Sequence, residues 1–98
     1  MIEYETHVEF RRAVDQFVHY MLRRIDQNKH KGMREAWTND DWEQQLIELQ
    51  QNVSELRMAI AYGNDVADKA ADVANNALMI WDNWHTNAGI AKAGRPNG

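Results

Sequence analysis

The chain has 98 residues, of which 44% are hydrophobic, and its formal net charge is −4. This length fits a single domain, and this apolar fraction is typical of a folded protein rather than a disordered one. The negative charge argues against a general nucleic-acid binder, so no long nucleic acid is expected as a partner. The chain contains no cysteine, which excludes disulfides and thiolate metal sites.

Location is predicted from what the sequence lacks. No apolar run approaches the roughly 20 residues that span a bilayer, so we expect no membrane partner. The first residues, Met-Ile-Glu-Tyr-Glu, lack the basic and apolar regions of a secretion signal. These observations favour a cytoplasmic protein.

The first predicted helix runs from about Glu5 to Asp26, because apolar residues recur there at helical spacing. They are Phe10, Val14, Phe17, Met21 and Ile25. A polar segment from Gln27 to Asn39 follows. Basic side chains crowd the end of this helix and the segment, namely Arg23, Arg24, Lys29, Lys31 and Arg34, with His30 among them. The cluster is either a phosphate-binding surface or an ordinary solvated charge pattern.

The second predicted helix begins near Thr38 or Asn39, both good N-caps, and ends at Gly63. Its apolar row is Trp42, Leu46, Leu49, Val53, Leu56 and Ile60. Asn64 or Asp65 caps a third helix, which reaches about residue 86. We therefore predict an all-α domain over residues 1–86 and a flexible tail over residues 87–98.

The third helix carries two neighbouring apolar rows. One row is Val66, Ala70, Val73, Ala77, Ile80 and Trp84, and the other is Ala67, Ala71, Ala74, Leu78 and Trp81. This stripe is wider than one partner helix requires, so we expect a homo-oligomer, a dimer or a tetramer. The alternative is that the other two helices cover the whole stripe.

The second and third helices have only Gly63 and Asn64 between them, which predicts a long antiparallel hairpin. Glu55 precedes the turn by about as many residues as Asp72 follows it. The two carboxylates should therefore stand at the same height on the hairpin and flank one cleft.

Three segments resemble the MazG-like nucleotide pyrophosphohydrolases, a family with many small phage members. Residues 69–83 read Lys-Ala-Ala-Asp-Val-Ala-Asn-Asn-Ala-Leu-Met-Ile-Trp-Asp-Asn. Residues 45–56 are similar to the family helix that precedes this segment. Residues 28–32, Asn-Lys-His-Lys-Gly, are similar to the loop before that helix. The resemblance covers about residues 21–83.

The resemblance implies a helical hairpin that assembles into dimers or tetramers and acts on nucleotides. In active members, the acids of Glu-x-x-Glu and Glu-x-x-Asp pairs hold Mg²⁺ against a nucleoside triphosphate, and water attacks between the α and β phosphorus atoms. Two facing helices with acids three residues apart supply the oxygen ligands that Mg²⁺ requires.

When the two acid pairs of the family are placed on this sequence, the first pair corresponds to Asn52 and Glu55, and the second to Lys69 and Asp72. Protonated Lys69 cannot ligate Mg²⁺, but it can contact a phosphate in place of the metal. Alternatively, Lys69 pairs with Asp65 or Asp72 on its own helix. Asn75 and Asp82 match family positions, which gives Asn75 a predicted role in binding metal, water or ligand.

A rearranged metal site is a second possibility. Glu48 lies one turn before Asn52, so Glu48, Glu55 and Asp72, with Asp68 nearby, would form a shifted carboxylate set. These acids are otherwise ordinary solvent-facing residues. Cofactors are accordingly predicted as none, or Mg²⁺ if the site is active.

The remaining candidates lie mostly in the basic segment. Trp37 either stacks on a base or packs against the start of the second helix, whereas Trp42, Trp81 and Trp84 are assigned to core or interface packing. The histidines show no metal-ligand spacing, and His30 alone is retained because of its place in the loop. The predicted ligand-binding set is Lys29, His30, Lys31, Arg34, Trp37, Asn52, Lys69 and Asn75.

Two functions follow from this pattern. The first is a phage-encoded pseudoenzyme in the host cytoplasm, which binds a nucleotide or a cyclic nucleotide without efficient hydrolysis. The second is a Mg²⁺-dependent nucleoside triphosphate pyrophosphohydrolase with a rearranged acidic site. A helical module that binds another protein is a third class.

Overall fold

A computed structural model of the chain describes residues 4–92, with side chains described for residues 7–87. Four α-helices follow one another: α1 (Tyr4–Gln27), α2 (Arg34–Thr38), α3 (Trp42–Tyr62) and α4 (Val66–Lys92), with a 3₁₀ turn at Lys29–Lys31 between α1 and α2. No strand occurs within residues 4–92, which confirms the predicted all-α class. None of the described helices combines the length and apolar character needed to cross a membrane.

Helix α1 has nearly the predicted bounds and docks on α4 through its C-terminal end. The side-chain amide of Asn75 donates a 2.9 Å hydrogen bond to the main-chain oxygen of Met21. Arg24 and Asp72 form a part-buried ion pair. Toward the N-terminus the apolar face is open, since Phe10 is 59% exposed. These polar contacts between α1 and α4 lie near residues 21–24.

Helix α3 begins at Trp42, later than predicted, because the two expected caps serve α2 instead. The Thr38 hydroxyl donates to the Arg34 carbonyl oxygen at 2.9 Å, and the Asn39 amide donates to the Glu35 carbonyl oxygen at 2.7 Å. Both side chains thus satisfy carbonyl groups at the end of a short helix inside the supposed polar loop. The N-cap position of α3 is Asp41.

The turn between α3 and α4 is close to the prediction. Gly63 adopts the left-handed conformation, with φ 72° and ψ 30°. Its N–H and that of Asn64 both donate to the Ala59 carbonyl oxygen, at 2.7 and 3.1 Å. Asp65 follows at φ 54°, and its carbonyl oxygen accepts a helical hydrogen bond from Lys69. Glycine is favoured at this helix end because a Cβ disfavours the left-handed region.

Carboxamide pairs set the register of the antiparallel hairpin. Asn52 donates to Asn76, and Asn83 donates to Gln45. The members of each pair lie equally far from Asn64 along the chain, as in-register antiparallel arms require. Most of the buried side chains among the described residues are polar, namely Gln45, Asn75, Asn76, Asp82 and Asn83. The buried apolar ones are Ala59 and Ala71.

Helix α4 is longer than predicted and continues through Asn87 to Lys92. The Asn87 amide donates to the Thr38 carbonyl oxygen at 3.0 Å and to the Asn83 carbonyl oxygen at 2.8 Å. The start of the predicted flexible tail is therefore helix, held at Asn87 to the segment before α3. The rest of that tail, residues 93–98, lies outside the described residues.

The molecule is open for its size. Its radius of gyration is 15.9 Å, against about 13 Å for a compact chain of this length. It exposes 7676 Å², against roughly 5,800 Å² for a compact monomer of its mass. On α4, Leu78, Trp81 and Trp84 are 41%, 55% and 51% exposed. The other described helices therefore cover only part of the apolar stripe of α4: Ala71 is fully buried, whereas these three side chains are open.

Candidate functional site

A cleft of about 650 Å³ lies between the end of α1, the segment before α3, and the two arms of the hairpin. Its volume falls within the range typical of small-molecule sites, about 300–1,000 Å³. Most of the predicted site residues line it: Lys31, Trp37, Glu48, Asn52, Glu55, Lys69, Asp72 and Asn75. The hairpin geometry thus brings Glu55 and Asp72, together with Asn52 and Lys69, to one cleft.

Three predicted residues of the basic segment do not line this cleft. Lys29 forms a surface ion pair with Asp26, at 3.6 Å, and His30 is exposed. The guanidinium of Arg34 is engaged by Asp82. Of the predicted cations in this segment, only Lys31 reaches the cleft.

Lys69 pairs across the hairpin rather than along its own helix. Its Nζ lies 3.2 Å from Oε1 of Glu55. The Lys69 side chain is 29% exposed and that of Glu55 is 51% exposed. A pair so open to water is held weakly, by at most about 1 kcal/mol. The ammonium group is therefore available to a stronger anion that enters the cleft.

Asp72 is held more tightly, by the guanidinium of Arg24. Nε donates to Oδ1 at 2.8 Å and Nη2 donates to Oδ2 at 3.0 Å, in a two-point pair. The hydrogen bonds that Arg24 donates to Asp72 raise the pKa of Arg24, and the negative charge of Asp72 adds to that effect. A carboxylate whose two oxygens already face a fixed cation is poorly disposed to bind a second one.

The carboxylates do not form a metal-binding group in this arrangement. Within the described side chains, no three or more His, Cys, Asp or Glu residues are placed to hold one ion. Asn52, at a position where the family pattern has an acid, uses its amide in the bond to Asn76. The chemistry of the cleft is instead that of paired charges and carboxamides.

A second cluster fixes the wall of the cleft that carries Trp37. Asp82 accepts hydrogen bonds from Arg34 Nε at 2.8 Å and Nη2 at 2.9 Å, and from the Trp37 indole N–H at 2.8 Å. The bonds from Arg34, then that from Trp37, lower the pKa of Asp82 to about 2. We expected Trp37 either to stack on a base or to pack against the start of α3. In the structure its indole N–H is hydrogen-bonded to Asp82 on α4, and the residue lines the cleft.

Gly32 lets the basic turn approach α2 closely. Its backbone has φ 116° and ψ 157°, a region essentially restricted to glycine. A Cβ at this position would lie 2.7 Å from Cβ of Ala36. Both residues line the cleft, so this close approach shapes its entrance beside Lys31.

Sequence reasoning missed Arg24 and Asp82 as site residues. Each acts through an ion pair with a residue 48 positions away in the chain. The sequence features that could have indicated these ion pairs are the cluster of arginines around residue 24 and the acids on one face of α4. These features do not say which arginine meets which acid.

Comparisons with models of protein families, with curated proteins and with solved structures found no match to this chain. The resemblance to MazG-like proteins therefore remains a prediction from its residues. The functional argument rests on the cleft.

Proposed function

We propose that the chain binds a nucleotide in the cleft, as a MazG-like scaffold that lacks efficient hydrolysis. One observation carries the proposal: both acids at the family's metal-ligand positions already have cationic partners. Glu55 pairs with Lys69 and Asp72 with Arg24. Lys69 and Arg24 thus supply the positive charge that a metal ion would otherwise bring. Protein cations bind phosphate without supplying the metal-activated water that hydrolysis uses.

The phosphates of the ligand bind to Lys69 and Lys31. Both side chains line the cleft, and the weak Lys69–Glu55 pair is readily exchanged for a contact to phosphate. A phosphate carries more charge than one carboxylate and accepts strong charge-assisted hydrogen bonds. Arg24 keeps its two-point partner, so it steadies the cleft rather than binding the ligand.

Carboxamides receive the rest of the nucleotide. Asn28, Gln51 and Asn52 line the cleft together with the ring of Trp37. Carboxamides pair with the donor and acceptor groups of bases, and an aromatic ring supplies apolar contact beside them. These features suit a nucleotide better than a bare polyphosphate.

The test is calorimetric titration of the protein with ATP, GTP, CTP, UTP and cyclic AMP, with and without chelator. We expect binding that the chelator leaves nearly unchanged. Lys69→Ala should weaken the affinity for triphosphates about tenfold to 150-fold, which corresponds to the loss of one charge-assisted bond of about 1.5–3 kcal/mol. Lys29→Ala is the matched control, because Lys29 pairs on the surface outside the cleft. It should alter affinity less than about threefold.

Mg²⁺-dependent pyrophosphohydrolysis is the second candidate. It is favoured by two further carboxylates in the cleft, Asp40 and Glu48, which form no ion pair with the described residues. Binding that chelator abolishes, with pyrophosphate release at ordinary enzyme rates, would establish it in place of the first. Loss of that rate in Asp72→Asn would then assign Asp72 to the metal.

We also propose that a second copy of the chain covers the exposed stripe of α4. Leu78, Trp81 and Trp84 of this stripe are 41%, 55% and 51% exposed, and contiguous exposed apolar side chains mark interaction surfaces. The stacked rings of Trp81 and His85 lie on this face, with centroids 4.9 Å apart. The small residues Ala67 and Ala74, on the same row as Trp81, permit a close approach between helices.

A further inference from the structure

Asn75 is a buried carboxamide of the cleft with one unused hydrogen-bonding atom. The residue is 5% exposed and lines the cleft. Its oxygen, Oδ1, is buried and accepts no hydrogen bond from any described group. Buried side-chain acceptors nearly always have a donor, because desolvation without a partner is unfavourable. Since Asn75 lines the cleft, this unused acceptor is a position for a donor on a ligand that displaces the groups covering Oδ1.

The orientation of this carboxamide is determined by α1. Its Nδ2 donates to the Met21 carbonyl oxygen at 2.9 Å, a group that can only accept. Turning the amide over would set two oxygens against each other. The bond to Met21 therefore fixes which amide atom is Nδ2 and which is Oδ1, and it leaves Oδ1 as the unused acceptor of Asn75.

Its position relative to the proposed phosphate site identifies the part of the ligand that it meets. Asn75 follows Lys69 by six residues on α4, about 9 Å along the helix axis. At neutral pH, phosphate oxygens chiefly accept hydrogen bonds, so they do not suit Oδ1. The ribose lies next to the phosphates, and the edge of the base lies beyond it, where amino and ring N–H groups are donors.

We infer that Asn75 determines base specificity, and that its Oδ1 accepts a hydrogen bond from an N–H on the base edge of a nucleotide. The inference rests on the proposed nucleotide site and adds the group that this site selects. A base that presents an acceptor at this position meets Oδ1 with repulsion and is rejected. Asn75 is then a reader of the base, whereas Lys69 holds the phosphates of any nucleotide.

The experiment compares pairs of ligands that differ in one N–H donor. The pairs are ATP and purine riboside triphosphate, GTP and inosine triphosphate, CTP and 2-pyrimidinone riboside triphosphate, and UTP and N3-methyluridine triphosphate. Inorganic triphosphate reports the phosphate site alone. For the preferred base, removal of the donor should weaken binding to the wild-type protein about tenfold, the effect of one neutral hydrogen bond.

Protein variants assign the effect to Asn75. In Asn75→Ala, the difference within the preferred pair should fall below about twofold, because the acceptor is gone. Asn87→Ala is the matched control, since Asn87 also bonds to a main-chain oxygen but does not line the cleft. It should preserve the tenfold difference. If Asn75→Ala does not fold, as judged by circular dichroism, Asn75→Asp replaces it: the carboxylate keeps the acceptor, so the tenfold difference should persist, and its loss would refute the inference.

The outcomes separate this inference from the proposed function. If inorganic triphosphate binds and no pair differs, the phosphate site stands and the role of Asn75 is refuted. The role of Asn75 is also refuted if affinity falls when the ribose 2′-hydroxyl is removed and not when a donor on the base is removed. If neither the nucleotides nor inorganic triphosphate bind, the proposed function fails, and the inference fails with it.

Discussion

Asp82 shows how one side chain can organise a neighbouring segment of the chain. It joins the guanidinium of Arg34 and the indole of Trp37 to α4, so a wall of the cleft depends on its ionised form. These bonds lower the pKa of Asp82 from 3.8 to about 2. Protonation of Asp82 therefore favours the unfolded chain, in which the carboxyl binds a proton more readily.

The pH dependence of stability should reveal this pair of interactions. The contribution of Asp82 is fully present above about pH 4 and is lost as the pH falls toward 2. Urea unfolding of the wild-type protein and Asp82→Asn, measured from pH 7 to pH 2, should give a stability difference that is constant above pH 4 and shrinks below it. A difference that does not change over this range would show that Asp82 is not held by Arg34 and Trp37.

Two glycines should differ in their response to alanine. Gly32→Ala should lower the free energy of unfolding by about 1–3 kcal/mol, because its backbone region excludes other residues, and the close contact with Ala36 adds to that loss. A Cβ at Gly63 would meet no neighbouring atom. Gly63→Ala should therefore lower the free energy of unfolding only by the cost of a left-handed backbone at a residue with a Cβ, about 1–2 kcal/mol. Urea unfolding compares them. An equal or smaller loss at Gly32 would contradict the close approach described here.

At the scale of the elements, carboxamides rather than a large apolar core align α3 with α4. Gln45 is 2% exposed; its amide donates to the Trp37 carbonyl oxygen at 2.8 Å and its oxygen accepts from Asn83. Polar pairs of this kind are satisfied in one register only, since a shift along the helix leaves each group without its partner. They therefore set which residues of α3 and α4 face each other across the cleft.

Gln45→Ala should therefore lower the free energy of unfolding by about 1–3 kcal/mol, because it removes the hydrogen bonds that the buried Gln45 side chain makes with Asn83 and with the Trp37 carbonyl oxygen. Gln44→Ala is the matched control on the adjacent, exposed position, where a change within about 0.5 kcal/mol is expected. Chemical denaturation measures both. Equal losses in the two variants would mean that the buried amide pair contributes nothing specific.

The whole molecule is organised around surfaces that a single chain leaves open. Apolar groups on α4 remain in water, with Trp81 55% exposed, and the contacts between α1 and α4 include several polar ones near one end. Exposed apolar patches of this kind mark interaction sites in folded proteins. Assembly of two chains through their hairpins would supply the apolar burial that one chain lacks.

Trp81→Glu should dissociate that assembly, because a charge would be buried in the interface. Light scattering at micromolar concentration should give a multiple of the chain mass for the wild type and the single-chain mass for this variant. Lys69→Ala should keep the wild-type mass, since it changes the cleft and not the stripe. A monomeric wild type would refute the proposed assembly.

The sequence by itself determined the helical class, the extent of α1 and the turn at Gly63. These features are local: apolar spacing creates a helix face, and a glycine relieves the steric cost of the left-handed turn. The short turn also predicted that Glu55 and Asp72 flank one cleft, and both residues line it. Most of the site residues predicted from the sequence line the cleft, although other residues make up more than half of its lining.

Only the tertiary structure decided the partners of the charges and the use of the caps. Arg23, Arg24 and Arg34 look alike in sequence, yet Arg24 meets Asp72 and Arg34 meets Asp82 because of how α1 and α2 dock on α4. Thr38 and Asn39 are equally suited to begin one helix or to end another, and their contacts to α2 settled the choice. The orientation of Asn75 depends in the same way on Met21. Long-range pairings of this kind follow from packing, which local spacing does not encode.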